Sequence, residues 1–263
     1  LSGELAVGRR ILELYLAPVS DGEQGGVMAV LHDVTAQRKN EEMRKEFVAN
    51  VSHELRTPLT NVRSYAETLR DMDDIPQEME NNFLDIIISE TDRMTRIVQD
   101  LLTLSRLDSG RAEIKMVRFS LYDSIESVCR AVELEAQRRG HTLLRQYGDT
   151  LPMVMGDRNR LEQVMMNVVG NSIKYTPDGG VITVDAGVRG RNVWIEVSDT
   201  GIGIPQKDRE RIFDRFYRVD KARSRESGGT GLGLSIAREI VLRHHGTIAL
   251  ASHDGPGTTV RIV

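Results

Sequence analysis

The spacing of apolar side chains changes twice along the first third of the chain. Residues 10–19 (RILELYLAPV) alternate apolar and polar, residues 21–26 are a glycine-rich turn, and residues 27–34 read as a second strand, so a two-stranded hairpin is expected. A two-stranded hairpin is marginal in water and reads as a piece of a larger domain. From Gln37 the period becomes helical. A first helix is expected from Thr35, as its N-cap, to about residue 70, with Phe47, Val51, Leu55, Leu59, Val62 and Leu69 as apolar markers. Residues 71–76 (DMDDIP) break it. A second helix is expected over 77–107, where Phe83, Ile87, Glu90, Met94, Ile97, Leu101 and Leu104 recur at alternating steps of four and three. Two helices joined by a short loop form a helical hairpin whose apolar stripe needs a partner, and a symmetric homodimer closing a four-helix bundle is the economical solution. Glu90 interrupts the stripe and marks a wetter layer.

Residues 108–111 read as a hinge into a second kind of pattern. A strand is expected over 114–119, then a helix capped by Ser120 and running to about residue 139, stopped by Gly140. Strands follow at 142–147 and 153–156, a helix at 158–175, strands at 181–188 and 192–198, a short helix, a charged loop, a helix at 231–245, and strands at 247–252 and 258–263. Strands in antiparallel runs between helices predict an α+β sandwich. The fold class expected is therefore multidomain: an all-α helical hairpin followed by an α+β sandwich, with a short β segment in front.

Composition narrows the function classes. The chain has 263 residues, 40% of them hydrophobic, which is enough for about two packed domains. A net charge of −4 gives no electrostatic argument for nucleic acid as a partner. The one cysteine, Cys129, falls in a helical pattern, so neither a disulfide framework nor a cysteine metal site is available. No apolar run reaches the roughly 18 residues that span a bilayer, so no direct membrane contact is expected of this piece.

The candidate chemistry begins at residues 47–59 (FVANVSHELRTPL), which set His53 and Glu54 side by side in a helix with Pro58 five residues after the histidine. Pro58 lacks the N–H that would bond the carbonyl of residue 54, and its ring crowds that carbonyl, so a bend is expected there. Thr57 shares a helix face with His53, and Asn50 and Arg56 flank it. Farther on, Asn167, Asn171 and Lys174 lie at steps of four and three on one helix face, away from Val164, Met165 and Val168. Two asparagines inside a helix invite a functional reading, since asparagine competes there for backbone hydrogen bonds; a solvated polar face is the alternative. Asp199 ends a strand at a turn carrying Gly201 and Gly203, where a carboxylate could simply close an Asx turn. The run Gly229, Thr230, Gly231, Leu232, Gly233 opens onto a helix, and amides at such a start suit phosphate. It is neither a Walker loop nor a Rossmann turn. His32, His141, His244, His245 and His253 lack metal spacing and are not catalytic candidates.

Taken together these segments resemble the sensor histidine kinases of bacterial two-component systems over residues 37–263, and within them the membrane-anchored cell-envelope sensors of the WalK/VicK/PhoR kind. The resemblance implies a PAS sensor remnant at 1–36, a dimerisation and phosphotransfer domain at 37–112, and at 113–263 the ATP-binding fold shared with gyrase, chaperone and mismatch-repair ATPases (GHKL or Bergerat type). It implies His53 as phosphoacceptor, Glu54 as general base, and Thr57 as the residue that positions water for dephosphorylating the partner. Asn171, helped by Asn167, would hold Mg2+. Lys174, Tyr175, Asp199, Gly201, Gly203, Arg218 and residues 229–233 would bind ATP, with Asp199 on the adenine amine and Arg218 at the terminal phosphate. Phe213 and Phe216 would anchor an ATP lid over 219–227, in which Lys221, Arg223 and Arg225 are solvated surface. The implied partners are a second copy and the receiver domain of a cognate response regulator, and the chain would be the cytoplasmic portion of a membrane protein. Alternatives of other classes are an ATPase of the same superfamily without a phosphohistidine and a non-catalytic scaffold that docks a regulator.

Overall fold

A computed structural model describes residues 2–21, 24–72, 74–109, 113–148, 150–219, 229–252 and 255–263, without the side chains of 19–21, 24 and 25. Positions 220–228, which include the lid residues Lys221, Arg223 and Arg225, the hinge positions 110–112 and His253 lie outside the described residues. The chain forms two compact units, residues 1–57 and 58–263, with the boundary inside the first long helix at Pro58.

In the first unit β1 (Ser2–Val7), β2 (Arg10–Asp21) and β3 (Gln24–Asp33) form an antiparallel sheet in the order β1-β2-β3. The expected hairpin is β2 and β3. The third strand, β1, was not expected: it is six residues long and turns into β2 through Gly8, whose φ of 61° suits a two-residue hairpin. Helix α1 (Thr35–Asp71) follows directly. Thr35 is not its N-cap as expected. The Val34 carbonyl already accepts the Arg38 N–H at 2.8 Å, while the Thr35 N–H donates to Asp33 Oδ1 and its hydroxyl accepts the Ile11 N–H at 2.8 Å. Thr35 thus stitches the helix start to β2. Those bonds to Thr35 are also what hold the Asp33 carboxyl below its ordinary range.

In the second unit the rest of α1 and α2 (Gln77–Asp108) pack through Tyr65 on Phe83, with ring centroids 5.2 Å apart. The expected seam is half-buried or buried along its length, with Ile97 and Leu104 fully enclosed. Glu90 differs from expectation. Instead of sitting in a wet layer it accepts the Asn61 Nδ2–H at 2.8 Å and lies 3.6 Å from Arg93, whose side chain is 7% exposed.

The remaining elements are β4 (Val117–Ser120), α3 (Leu121–Arg138), β5 (Thr142–Arg145), β6 (Met153–Gly156), α4 (Arg158–Tyr175), β7 (Val181–Arg189), β8 (Asn192–Asp199), a short 3-10 turn, α5 (Gly233–Arg243), β9 (Ile248–Leu250) and β10 (Thr258–Ile262). The main sheet runs β5-β7-β8-β10-β9, antiparallel except for the β5–β7 pair, and β4 pairs with β6. One face of the sheet supplies Ile182, Val184, Ile195, Val197, Val260 and Ile262 to the core, and α3, α4 and α5 close it with Val128, Val168 and Ile236 among others. The α+β sandwich expected from the sequence is therefore present. Ser120 caps α3 by accepting the Asp123 N–H, and Asp157 caps α4 by accepting the Arg160 N–H. Leu104 and Leu107 at the end of α2 belong to this same core.

Candidate functional site

His53 lies on α1 with its side chain exposed to solvent, and Pro58, one turn beyond, is buried. The Ser52 hydroxyl donates back to the Val48 carbonyl, and the Thr57 hydroxyl donates to the His53 carbonyl at 3.4 Å. Thr57 is therefore on the expected face, with its hydroxyl turned to the backbone below His53. Glu54, next in sequence, is half-buried.

The second candidate site is a cavity of about 430 Å³ in the sandwich, bounded by α4, the turn after β8, and the segment leading into α5. Of the expected residues it gathers Asn167, Asn171, Lys174, Tyr175, Asp199, Gly203, Arg218, Gly229, Thr230, Gly231 and Gly233. Two expected residues do not line it. Leu232 is fully buried in the core, and its N–H donates to Thr230 Oγ1. Gly201 instead lies against Asp199, to whose Oδ1 it donates its N–H at 3.0 Å.

Asp199 sits at the end of β8, 6% exposed, held from three directions. Oδ1 accepts the N–H of Gly201 and of Thr258, the latter at 3.1 Å, and Oδ2 accepts the Ser172 hydroxyl at 2.9 Å. The close approach at Gly201 requires glycine: a Cβ there would come within 2.7 Å of Asp199 Oδ1 and of the Tyr175 carbonyl. Gly231 is the second such position, with φ of 72°, where a Cβ would come 3.0 Å from the Phe216 α-carbon. Phe216 in turn donates its N–H to the Gly231 carbonyl.

The cavity lining also carries the cations Lys174, Arg218 and Arg96. Burial pushes the Lys174 ammonium below its ordinary value, and the nearby Arg218 and Arg96 add to that shift. Lys174 Nζ also lies 5.0 Å from the Tyr175 ring centroid. Converging cations in one cavity suit a polyanion. The Asn167 Nδ2–H donates to the Gly233 carbonyl at 2.9 Å, so its oxygen is the atom that can serve a cation. Asn171 and Asn167 together offer neutral amide oxygens, a donor set that fits magnesium bound mainly by phosphate and water. Among the described residues no cluster of three or more histidine, cysteine or acidic side chains could hold a metal by itself.

The sequence reading missed the part of the cavity formed by α2. Arg96, Gln99 and Asp100 line it, and Asp100 accepts the Thr230 hydroxyl at 2.8 Å. Burial raises the Asp100 carboxyl above its ordinary value. Nearby, Arg215 makes a two-pronged pair with Asp108 at 2.8 and 2.6 Å, and Arg243 donates to the Leu107 carbonyl. No local signal in the sequence brings residues this far apart together. Of the other histidines, His141 is buried with Nε2 on the Ile173 carbonyl, and His244 Nε2 accepts the Asp157 N–H. Both are structural.

Two family models match the chain. The His Kinase A (phospho-acceptor) domain matches residues 43–110, and the histidine kinase-, DNA gyrase B- and HSP90-like ATPase matches residues 156–263. The sensor histidine kinase WalK of Bacillus subtilis is 44% identical over 246 residues, which is 91% of this chain and 39% of the relative. The chain thus spans about two fifths of that relative's length. Among solved structures, the Acinetobacter baumannii histidine kinase AdeS aligns with a TM-score of 0.66 at 26% identity, over 80% of this chain and 95% of that one. The histidine kinase ThkA in complex with the response regulator protein TrrA aligns with a TM-score of 0.68 at 25% identity, over 99% of this chain and 77% of that one.

Proposed function

The chain belongs to the bacterial sensor histidine kinases, and from that membership we propose that it phosphorylates its own His53 from Mg-ATP and passes the phosphoryl group to an aspartate of a response regulator. The observation that carries this reading is the coexistence of an exposed histidine one turn before a helical proline with a cavity lined both by a buried carboxylate, Asp199, and by the cations Lys174, Arg218 and Arg96. The domain assignment that goes with it is a sensor-domain remnant at 1–36, the phosphotransfer domain at 37–112 and the ATP-binding domain at 113–263.

In this reading Asp199 accepts the exocyclic amine of adenine, and Tyr175 and Gly203 border the nucleotide. Lys174, Arg218 and the amides around residues 229–233 take the phosphates. Asn171 and Asn167 would hold magnesium, which supplies charge neutralisation along the phosphate chain. The neutral imidazole of His53 attacks the γ-phosphorus, the bond to the ADP oxygen breaks, and the ring proton goes to Glu54 acting as general base. Thr57 positions water for hydrolysis of the regulator's acyl phosphate. The complex of ThkA with a regulator supports a receiver domain as partner, and the phospho-acceptor match supports a homodimer. The likeness to WalK sensors supports a cytoplasmic portion of a membrane-anchored protein, and no described helix is long and apolar enough to cross a membrane. An ATPase without a phosphohistidine and a non-catalytic scaffold are both disfavoured, because the phospho-acceptor segment and the cavity occur in one chain.

The test is incubation with γ-labelled ATP and magnesium. An acid-labile, base-stable label that His53→Ala abolishes is the expected result. A label that persists in His53→Ala moves the acceptor elsewhere, and nucleotide binding without label supports the ATPase reading.

A further inference from the structure

Ser172 lies on the inward stripe of α4, 4% exposed, among Met165, Val168, Val169 and Ile173. A serine inside a helix ordinarily bonds back to the carbonyl four residues earlier or faces water. This one gives its hydroxyl proton to Asp199 Oδ2, 27 residues away, at 2.9 Å. The carboxylate is thereby divided between two elements. Backbone N–H groups of Gly201 and Thr258 fix Oδ1, and a side chain of α4 fixes Oδ2. A carboxylate oxygen accepts two hydrogen bonds. The two N–H groups account for Oδ1, and Oδ2 is the oxygen whose orientation Ser172 sets.

We propose that Ser172 is a positioning residue that aims Asp199 Oδ2 at the exocyclic amine of the bound purine and so sets the preference for a 6-amino base. The proposal rests on the reading of the cavity as an ATP site with Asp199 at the base. It separates Ser172 from its neighbours on α4: Asn171 and Lys174 serve the phosphate end, whereas Ser172 acts on base recognition through another residue. Its removal should leave phosphate contacts intact and weaken discrimination at the purine 6-position.

The experiment is calorimetric titration of the chain and its Ser172→Ala variant with ADP and with purine riboside 5′-diphosphate, which lacks the 6-amino group. The parent is expected to prefer ADP. The variant is expected to bind the analogue as the parent does and to lose about tenfold in ADP affinity, the worth of one charge-assisted hydrogen bond at the low end of its range. Unchanged analogue binding also reports that the variant's cavity is folded. A variant that keeps the parent's ratio of the two affinities, whether both fall or neither does, overturns the role of Ser172 and leaves the ATP reading standing. A parent that binds both nucleotides equally overturns the base-recognition role of Asp199 and this proposal with it.

Discussion

At Gly201 the chain has room for a hydrogen and nothing larger, since a Cβ would meet a carboxylate oxygen and a backbone carbonyl, both 2.7 Å away. Neither obstacle is the flexible end of a long side chain. Gly201→Ala must therefore push Asp199 off its two N–H donors or shift the end of α4. We expect a loss of about 1–3 kcal/mol in stability, by overpacking, and at least a tenfold loss in ADP affinity, read by thermal melts and calorimetry. Asp100 gives a pH-dependent counterpart. Its raised value means that burial penalises the charged form, so the protonated form contributes stability at low pH that is lost as pH rises through the raised value. Asp100→Asn keeps an acceptor for Thr230 and removes the buried charge. The variant should melt higher than the parent at pH 7, by under about 1 kcal/mol given partial exposure, and the gap should close as pH falls into the ordinary carboxylate range. A gap that widens on acidification would refute this account. Asn171 stood out in the sequence because an asparagine inside a helix breaks a local preference, whereas Asp199, ordinary at a glycine turn, was singled out only by the family resemblance. Asp100 and Ser172 were not legible, because an aspartate and a serine in a helix violate nothing until the partner 130 or 27 residues away is known.

Among the elements, α2 carries two assignments at once. Its heptad pattern reads plainly as half of a helical hairpin, and Phe83 against Tyr65 bears that out. Its last turns belong to the sandwich instead, with Leu104 and Leu107 each 1% exposed in the same core as α3 and α5. Heptad spacing identifies an apolar face but not which element covers it, so the pattern could not reveal that allegiance. The consequence is measurable. Leu107→Ala should cost about 2–5 kcal/mol, as for other buried leucines. Arg215→Ala removes a geometrically good but half-exposed pair with Asp108 and should cost under about 1 kcal/mol. Comparable losses from the two variants in denaturant melts would mean that the ion pair, not the apolar contact, holds the end of α2. The misreadings elsewhere have similar causes. β1 (SGELAV) shows no apolar–polar alternation, and Thr35 resembles an N-cap in composition while its hydroxyl is taken up by β2.

For the molecule as a whole, the question is what covers the face of α2 that this chain leaves exposed. One position along from the seam that packs on α1, a second repeat runs through Leu84, Ile88, Thr91, Thr95, Val98 and Leu102 in steps of four and three. Its large apolar members are 43%, 58%, 44% and 53% exposed, far more than a monomeric helix surface needs. The two threonines do not make the stripe polar. The Thr91 hydroxyl donates to the Ile87 carbonyl and the Thr95 hydroxyl to the Thr91 carbonyl, so both hydroxyl protons are already used within the helix. Such a stripe can be buried without leaving a donor unsatisfied. In the sequence the two repeats overlap on one helix, and only packing separates the face covered within the chain from the face left exposed. A homodimer through this stripe should come apart when a charge is placed at its centre. Ile88→Glu would bury an unpaired carboxylate from each copy in the interface, adding that cost to the loss of apolar burial. Sedimentation of the parent should show a dimer, and Ile88→Glu should weaken association by at least tenfold while the melt of the sandwich, whose core lies elsewhere, stays unchanged. An Ile88→Glu chain that remains as dimeric as the parent would place the partner on another face.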